Sequence, residues 1–222
     1  MPLITRIDNY CSYCERKLEC SLAVEHIQPK GLPAYAYLET TWSNFLLGCV
    51  NCNSTKGNQN VVLADVLLPD RDNTFLAYEY ELDGSIEVST SLAAPLQAPA
   101  AELLRLTGLD RKVTSIFDDN QIQIIVDRVS KRINVFGKAL DMRGKLSKRP
   151  NDDDFIDTIV ALAAAEGLFS IWMKVFVTYP EVCRRLINTY RGTRESGCFD
   201  PITQAPVSPH PNTDALTPGG RL

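Results

Sequence analysis

Two Cys-x-x-Cys pairs, Cys11-Ser12-Tyr13-Cys14 and Cys49-Val50-Asn51-Cys52, stand 34 residues apart and constrain this chain more than any other feature. Two such knuckles can deliver four thiolates to one tetrahedral zinc ion, and a closed four-thiolate site holds a fold together while leaving no open position for chemistry. Disulfides are the competing use of seven cysteines. The N-terminal Met-Pro-Leu-Ile-Thr-Arg lacks the basic region, apolar stretch and small-residue cleavage site of a secretory signal, so a reducing cytoplasm is expected. Cys20 is then a spare, buried thiol. Cysteines alone fit equally well a zinc ribbon that only binds a partner.

The residues between and after the knuckles add polar chemistry. Val24-Glu25-His26-Ile27-Gln28-Pro29-Lys30 precedes Trp42-Ser43-Asn44, and the second knuckle runs directly into Asn53-Ser54-Thr55-Lys56-Gly57. Over residues 11–57 this pattern resembles the HNH, or ββα-metal, nucleases. Glu25-His26 is similar to the acidic-His pair on their first strand, Asn44 to the central Asn, and Asn53 to the final position. Most of the family has His at that last position; an Asn also stands there in the HNH domain of RNA-guided CRISPR nucleases, where it still binds metal. The resemblance implies that His26 activates water, that Glu25 and Asn53 hold one Mg²⁺ or Mn²⁺, that Asn44 hydrogen-bonds the backbone near His26, and that Lys56 neutralises a phosphate. Cys11, Cys14, Cys49 and Cys52 would carry structural Zn²⁺.

Those roles also make sense residue by residue. Cutting a phosphodiester needs an activated water, stabilisation of charge on the phosphate and help for the leaving oxygen. Neutral imidazole accepts a proton, and the oxygens of Glu25 and Asn53 are the hard ligands that suit Mg²⁺. Adjacent strand residues point to opposite faces, so Glu25 and His26 can serve one site only if the strand end bends. Cys52 adjoins Asn53, so a zinc clamp would also fix the start of the helix bearing that ligand. The chain has one other histidine, His210, in a proline-rich tail.

Charge and periodicity divide the remainder. The net charge of −4 speaks mildly against nucleic acid, but residues 111–149 carry ten basic and four acidic side chains, densest at Arg128, Lys131, Arg132, Lys138, Arg143, Lys145, Lys148 and Arg149. That stretch either faces phosphates or is a solvated helix face. Asp83-Gly84 between Leu76–Tyr80 and Ser85–Thr90 signals a hairpin, and Ala93–Pro99 reads as a linker before a helix at Ala100–Leu106. Ile122, Val126, Val129, Ile133, Phe136 and Leu140 recur at helical spacing and predict one long amphipathic helix. A helix from about Phe155 to Val177, capped by Asp152 to Asp154, is apolar all round; Glu166, Gly167, Ser170 and Lys174 interrupt it, which favours a buried helix over a membrane span. A short helix follows at Glu181–Tyr190. The expected fold class is α+β: a zinc-anchored ββα-metal module over residues 1–60, a hairpin extension and linker over 61–95, a mainly α-helical domain over 96–197, and a flexible Pro-rich tail over 198–222.

Leu68-Pro69-Asp70-Arg71-Asp72-Asn73, the hairpin and the helical half together resemble the HNH subunit of Septu-type anti-phage defence systems. That similarity implies an ATPase partner of the ABC or SMC-like class, in some systems beside a retron reverse transcriptase and its non-coding RNA and DNA, with the helical half as docking surface. DNA is the favoured substrate because HNH relatives mostly cut DNA; RNA, tRNA included, is the alternative. The opposing expectation is a catalytically silent zinc-binding adaptor that tethers the ATPase to nucleic acid.

Overall fold

A four-residue strand buries too little to stand alone, so the N-terminal module depends on what braces its ends. The computed structural model describes residues 2–19 and 23–222; Cys20 lies outside them. Helix α1 (Pro2–Ile7) leads into the first knuckle, where Ser12 N–H donates to the Leu47 carbonyl at 2.8 Å. Strand β1 (Ala23–His26) pairs antiparallel with β2 (Phe45–Gly48), placing Glu25 opposite Leu46 and His26 opposite Phe45. Strand β2 then runs straight into helix α2 (Val50–Lys56). Cys49 is the N-cap of α2, its sulfur accepting the Cys52 N–H at 3.3 Å, so knuckle turn and helix start are one structure.

Strands β3 (Tyr78–Tyr80) and β4 (Ile86–Val88) flank Asp83-Gly84, with Gly84 at φ +78° in the turn. Six helices follow among the described residues: α3 (Ala94–Thr107), α4 (Asp119–Leu146), α5 (Asp153–Glu166), α6 (Phe169–Val175), α7 (Pro180–Thr189) and α8 (Arg191–Ser196). Helix α3 starts at Ala94 instead of Ala100, because Pro95 sits in its first turn, where a missing N–H leaves no bond unmade. Most of the expected linker is therefore helical.

Two further differences from the sequence expectations position the site. Helix α4 is the expected long helix, 28 residues with a capping box of Asp118 and Gln121, but it is rotated about its axis. Val126 and Ile133 are 41% and 45% exposed, while Ile125, Arg128, Arg132, Val135, Phe136 and Ala139 face inward. Acceptors in the interior draw two arginines in: Arg132 Nε donates to the Gly84 carbonyl at 2.5 Å, and Arg128 Nη1 donates to the carbonyls of Thr107 and Gly108 at 3.0 Å each. The single helix expected over Phe155–Val177 is two, α5 and α6, broken at Gly167 (φ +75°) and Leu168 (φ +61°). A Cβ on Gly167 would stand 2.6 Å from the Glu15 carbonyl oxygen and 2.7 Å from the Lys17 nitrogen, so glycine permits the backbone of the helical half to lie directly on the first knuckle. Leu168 N–H donates to the Glu15 carbonyl at 2.8 Å, and the Glu15 carboxylate accepts from Ser170 N–H (2.8 Å) and Oγ (2.6 Å) at the start of α6.

One continuous buried cluster joins Leu46, Leu47 and the four knuckle cysteines to Ile159, Trp172, Phe176 and Leu186. Residues 198–222, expected to be flexible, fold back over residues 64–73. Asn73 Nδ2 donates to the carbonyls of Cys198 (2.9 Å) and Val207 (2.8 Å), Gly220 N–H donates to the Arg71 carbonyl (2.7 Å), and Arg221 bonds Asp72 through Nη2 at 2.7 Å. Buried polar side chains supply the bonds that the tail's sparse apolar area cannot replace. The Leu68 to Asn73 segment is thus a bracket for the tail, and Arg71 Nη2 also reaches the Ser43 carbonyl at 3.1 Å, next to Asn44. Among the described residues no helix is long and apolar enough to cross a membrane.

Candidate active site and metal centre

The sulfurs of Cys11, Cys14, Cys49 and Cys52 are all buried and lie within 4.8 Å of one another. A tetrahedral ion with zinc–sulfur bonds of about 2.3 Å sets sulfur–sulfur edges of about 3.8 Å, and the Cys14 and Cys49 sulfurs are 3.8 Å apart. Crowding sets the thiols against one another: hydrogen bonding among them, led by Cys11, pushes Cys14 and Cys52 well above the ordinary thiol range and holds Cys49 far below it. A cation at the centre resolves that competition, so the donor set fits zinc.

Arginines surround this cluster. Arg128 Nη2 donates to the Cys52 sulfur at 3.3 Å, and the fields of Arg16 and Arg132 act on Cys14. The basic stretch that sequence analysis offers to phosphates therefore turns two of its arginines toward the thiolates. Arg128 and Arg132 are one helical turn apart in a segment otherwise apolar on that side, and this is the signal by which sequence reasoning can find them. Replacing Arg128 with Met removes the positive charge beside Cys52 and strands two buried carbonyls. We expect Arg128→Met to weaken zinc retention by about 10- to 100-fold, measured as metal transfer to a competing chromogenic chelator. An unchanged transfer would remove Arg128 from the metal centre.

Glu25 and His26 project from opposite faces of β1. The Glu25 side chain is 1% exposed and its Oε1 lies 2.7 Å from Nζ of Lys56, itself 3% exposed. The same ammonium donates to the His26 carbonyl at 2.8 Å, so Lys56, expected to meet a phosphate, points inward and touches both residues of the pair. Burial raises the Glu25 pKa, and the Lys56 charge only partly offsets it. Lys56 and the Tyr13 side chain stabilise its charged form. Asn53, on α2, and Glu25 both approach Gly48: a Cβ built there would meet Glu25 Cβ at 3.3 Å and Asn53 Cβ at 3.7 Å. Gly48 therefore lets both expected ligands approach the strand closely, and its place in the strand just before the second knuckle is the signal that sequence reasoning passed over. A carboxylate and a side-chain amide are the oxygen donors that a hard divalent cation takes, and Lys56 is the cation that Glu25 holds in this structure.

The half-exposed His26 ring packs edge-on against Phe45, with centroids 5.1 Å apart, and its Nε2 lies 3.0 Å from the Glu39 carbonyl oxygen. A carbonyl only accepts, so this contact assigns the proton to Nε2 and leaves Nδ1 as the basic nitrogen. Asn44 holds the end of β1: its Oδ1 accepts the Gln28 N–H at 2.8 Å, its Nδ2 donates to the Gln28 carbonyl at 2.9 Å, and its own carbonyl accepts the Ile27 N–H at 2.9 Å. The fold thus gathers Glu25, Asn53 and Lys56 on the α2 side of the strand and sets the His26 imidazole on the other.

Residues 11–59 match the family model of the HNH endonucleases. Among curated proteins, none matches the chain.

Proposed function

We propose that the chain is a cytoplasmic, metal-dependent endonuclease that hydrolyses phosphodiester bonds, with His26 as general base. The observation that carries this reading is the Glu39 carbonyl on His26 Nε2, which orients the ring and makes Nδ1 the nitrogen that can take a proton from water. Glu25 and Asn53 would hold Mg²⁺ or Mn²⁺, with Glu25 released from Lys56. When bound, that ion supplies positive charge to the scissile phosphate and the leaving oxygen. Because Glu25 and His26 face apart, the substrate must lie across the strand end, where the chain turns through Ile27 and Gln28. Asn44 fixes that turn, and Lys56 is a positioning residue that ties the Glu25 carboxylate to the His26 backbone. The HNH match over residues 11–59 supports nucleic acid as substrate. DNA is the first substrate class and RNA, tRNA included, the second.

By its Leu68 to Asn73 segment, hairpin and helical half, we place the chain as the effector subunit of a Septu-type anti-phage complex. An ABC or SMC-like ATPase would dock on the helices, in retron-linked systems beside a reverse transcriptase and its RNA and DNA. A second reading is favoured by one contact: the buried Lys56–Glu25 ion pair already occupies Oε1, as it would in a silent zinc-binding adaptor. The test is cleavage of plasmid and tRNA with Mg²⁺ or Mn²⁺, with and without a co-expressed candidate ATPase, wild type against His26→Ala. Binding with no cleavage by either protein under any condition would establish the adaptor.

A further inference from the structure

We infer that the substrate reaches His26 as an unpaired strand, its bases stacked on Tyr37 and Trp42. This rests on the nuclease reading of His26. Three observations carry it. First, the site offers few cations for a duplex backbone. Each of the five basic side chains in residues 1–60 is already engaged: Arg6 with Asp214, Arg16 with Asp127, Lys17 with the Ala164 carbonyl, Lys30 with Glu39, and Lys56 with Glu25. The basic stretch of α4 is similarly occupied, with Arg128 and Arg132 inside the protein, Lys131 and Lys138 on Glu166, and Lys145 on Asp141. Duplex binding draws most of its affinity from such cations neutralising phosphates; single-strand binding replaces part of it with base stacking on aromatic rings, which tolerates any sequence.

Second, the loop that joins β1 to β2 holds two large aromatics out in solvent: Tyr37 is 76% exposed and Trp42 45%. Leaving both there forgoes the burial that stabilises such rings elsewhere in the molecule. Third, these rings connect to the catalytic histidine. His26 packs on Phe45 at 5.1 Å and Phe45 on Trp42 at 6.3 Å, both edge-on, and the Arg6 guanidinium lies 6.0 Å from the Trp42 centroid. Tyr37 lies two residues before Glu39, whose carbonyl holds His26. A base on Trp42 would leave its neighbouring phosphate toward His26, with Arg6 beside the stack. Unpaired DNA and the loops of folded RNA share this chemistry.

The test is fluorescence anisotropy of the zinc-loaded full chain without added Mg²⁺ or Mn²⁺, at one fixed salt concentration, with short labelled single-stranded DNA, single-stranded RNA and duplex DNA. Single strands are expected to bind about tenfold or more tighter than the duplex, and Tyr37→Ala and Trp42→Leu each to weaken single-strand binding by about tenfold while leaving duplex binding and zinc content unchanged. Whichever strand loses more identifies the sugar. Equal affinity for duplex and single strand, no binding to either single strand, or wild-type single-strand binding by both folded variants would overturn the inference. Tyr37→Ala, at a solvent-facing position, decides the matter if Trp42→Leu does not fold. A stacking-dependent preference for single strands in a protein that cleaves nothing with Mg²⁺ would sink the nuclease reading, and with it the role of His26, while leaving Tyr37 and Trp42 as a single-strand binding surface.

Discussion

His26→Ala is expected to slow phosphodiester cleavage by about 10²- to 10⁴-fold, the contribution of a positioned general base, while zinc content and melting temperature stay near wild type. The separation of the two effects follows from where the ring sits. It is half-exposed on the outer face of β1, its hydrogen-bond partner is a backbone carbonyl that water can satisfy, and its packing partner Phe45 also rests on Trp42. Removing it costs about 1 kcal/mol of hydrogen bonding. The backbone contact that matters for the strand end, Lys56 on the His26 carbonyl, survives any side-chain change. Initial rates on a nicked-plasmid or tRNA assay, normalised to zinc content, would check this. Equal rates for the two proteins would take His26 out of the mechanism.

Cys49→Ser is expected to lose zinc and to abolish the cooperative melt of the whole chain. Structural zinc contributes on the order of 10 kcal/mol, which is comparable with the entire stability of an ordinary domain. Serine is itself a good N-cap, so the substitution spares the start of α2 and isolates the loss of the metal. The damage should spread beyond residue 60, because Leu46, Leu47 and the cysteines share a core with Trp172 and Phe176. Metal analysis and far-ultraviolet circular dichroism on heating would report both effects. A variant that releases zinc yet melts as wild type would show that the clamp is dispensable.

What the sequence discloses here is what local spacing can encode. The knuckles, the ββα order and the existence of α4 follow from residues near one another in the chain. The orientation of α4 does not, since its inward face is chosen by carbonyls at Gly84, Thr107 and Gly108 and by the Cys52 sulfur. Periodicity counts Val126 and Ile133 as core and arginine as surface. The break at Gly167 was visible as a glycine, but its purpose depends on Glu15, far away in sequence. The order of the tail was hidden for the same reason: nothing about Asp72 and Asn73 points to the tail until their partners at Cys198, Val207 and Arg221 are known. At the site, the alternation of strand side chains correctly raises the question of how Glu25 and His26 can cooperate. Lys56, which the resemblance assigns to a phosphate, turns inward to Glu25 and the His26 carbonyl, partners that no local spacing discloses.

The seam at Gly167 has a mechanical meaning. The backbone of the α5–α6 elbow and that of the first knuckle touch with no side chain between them, and Glu15 fastens the elbow's outgoing helix. Such a joint has no slack. A displacement of α6 would bear directly on the loop carrying Cys11 and Cys14, so the helical half and the ion's cradle share one joint.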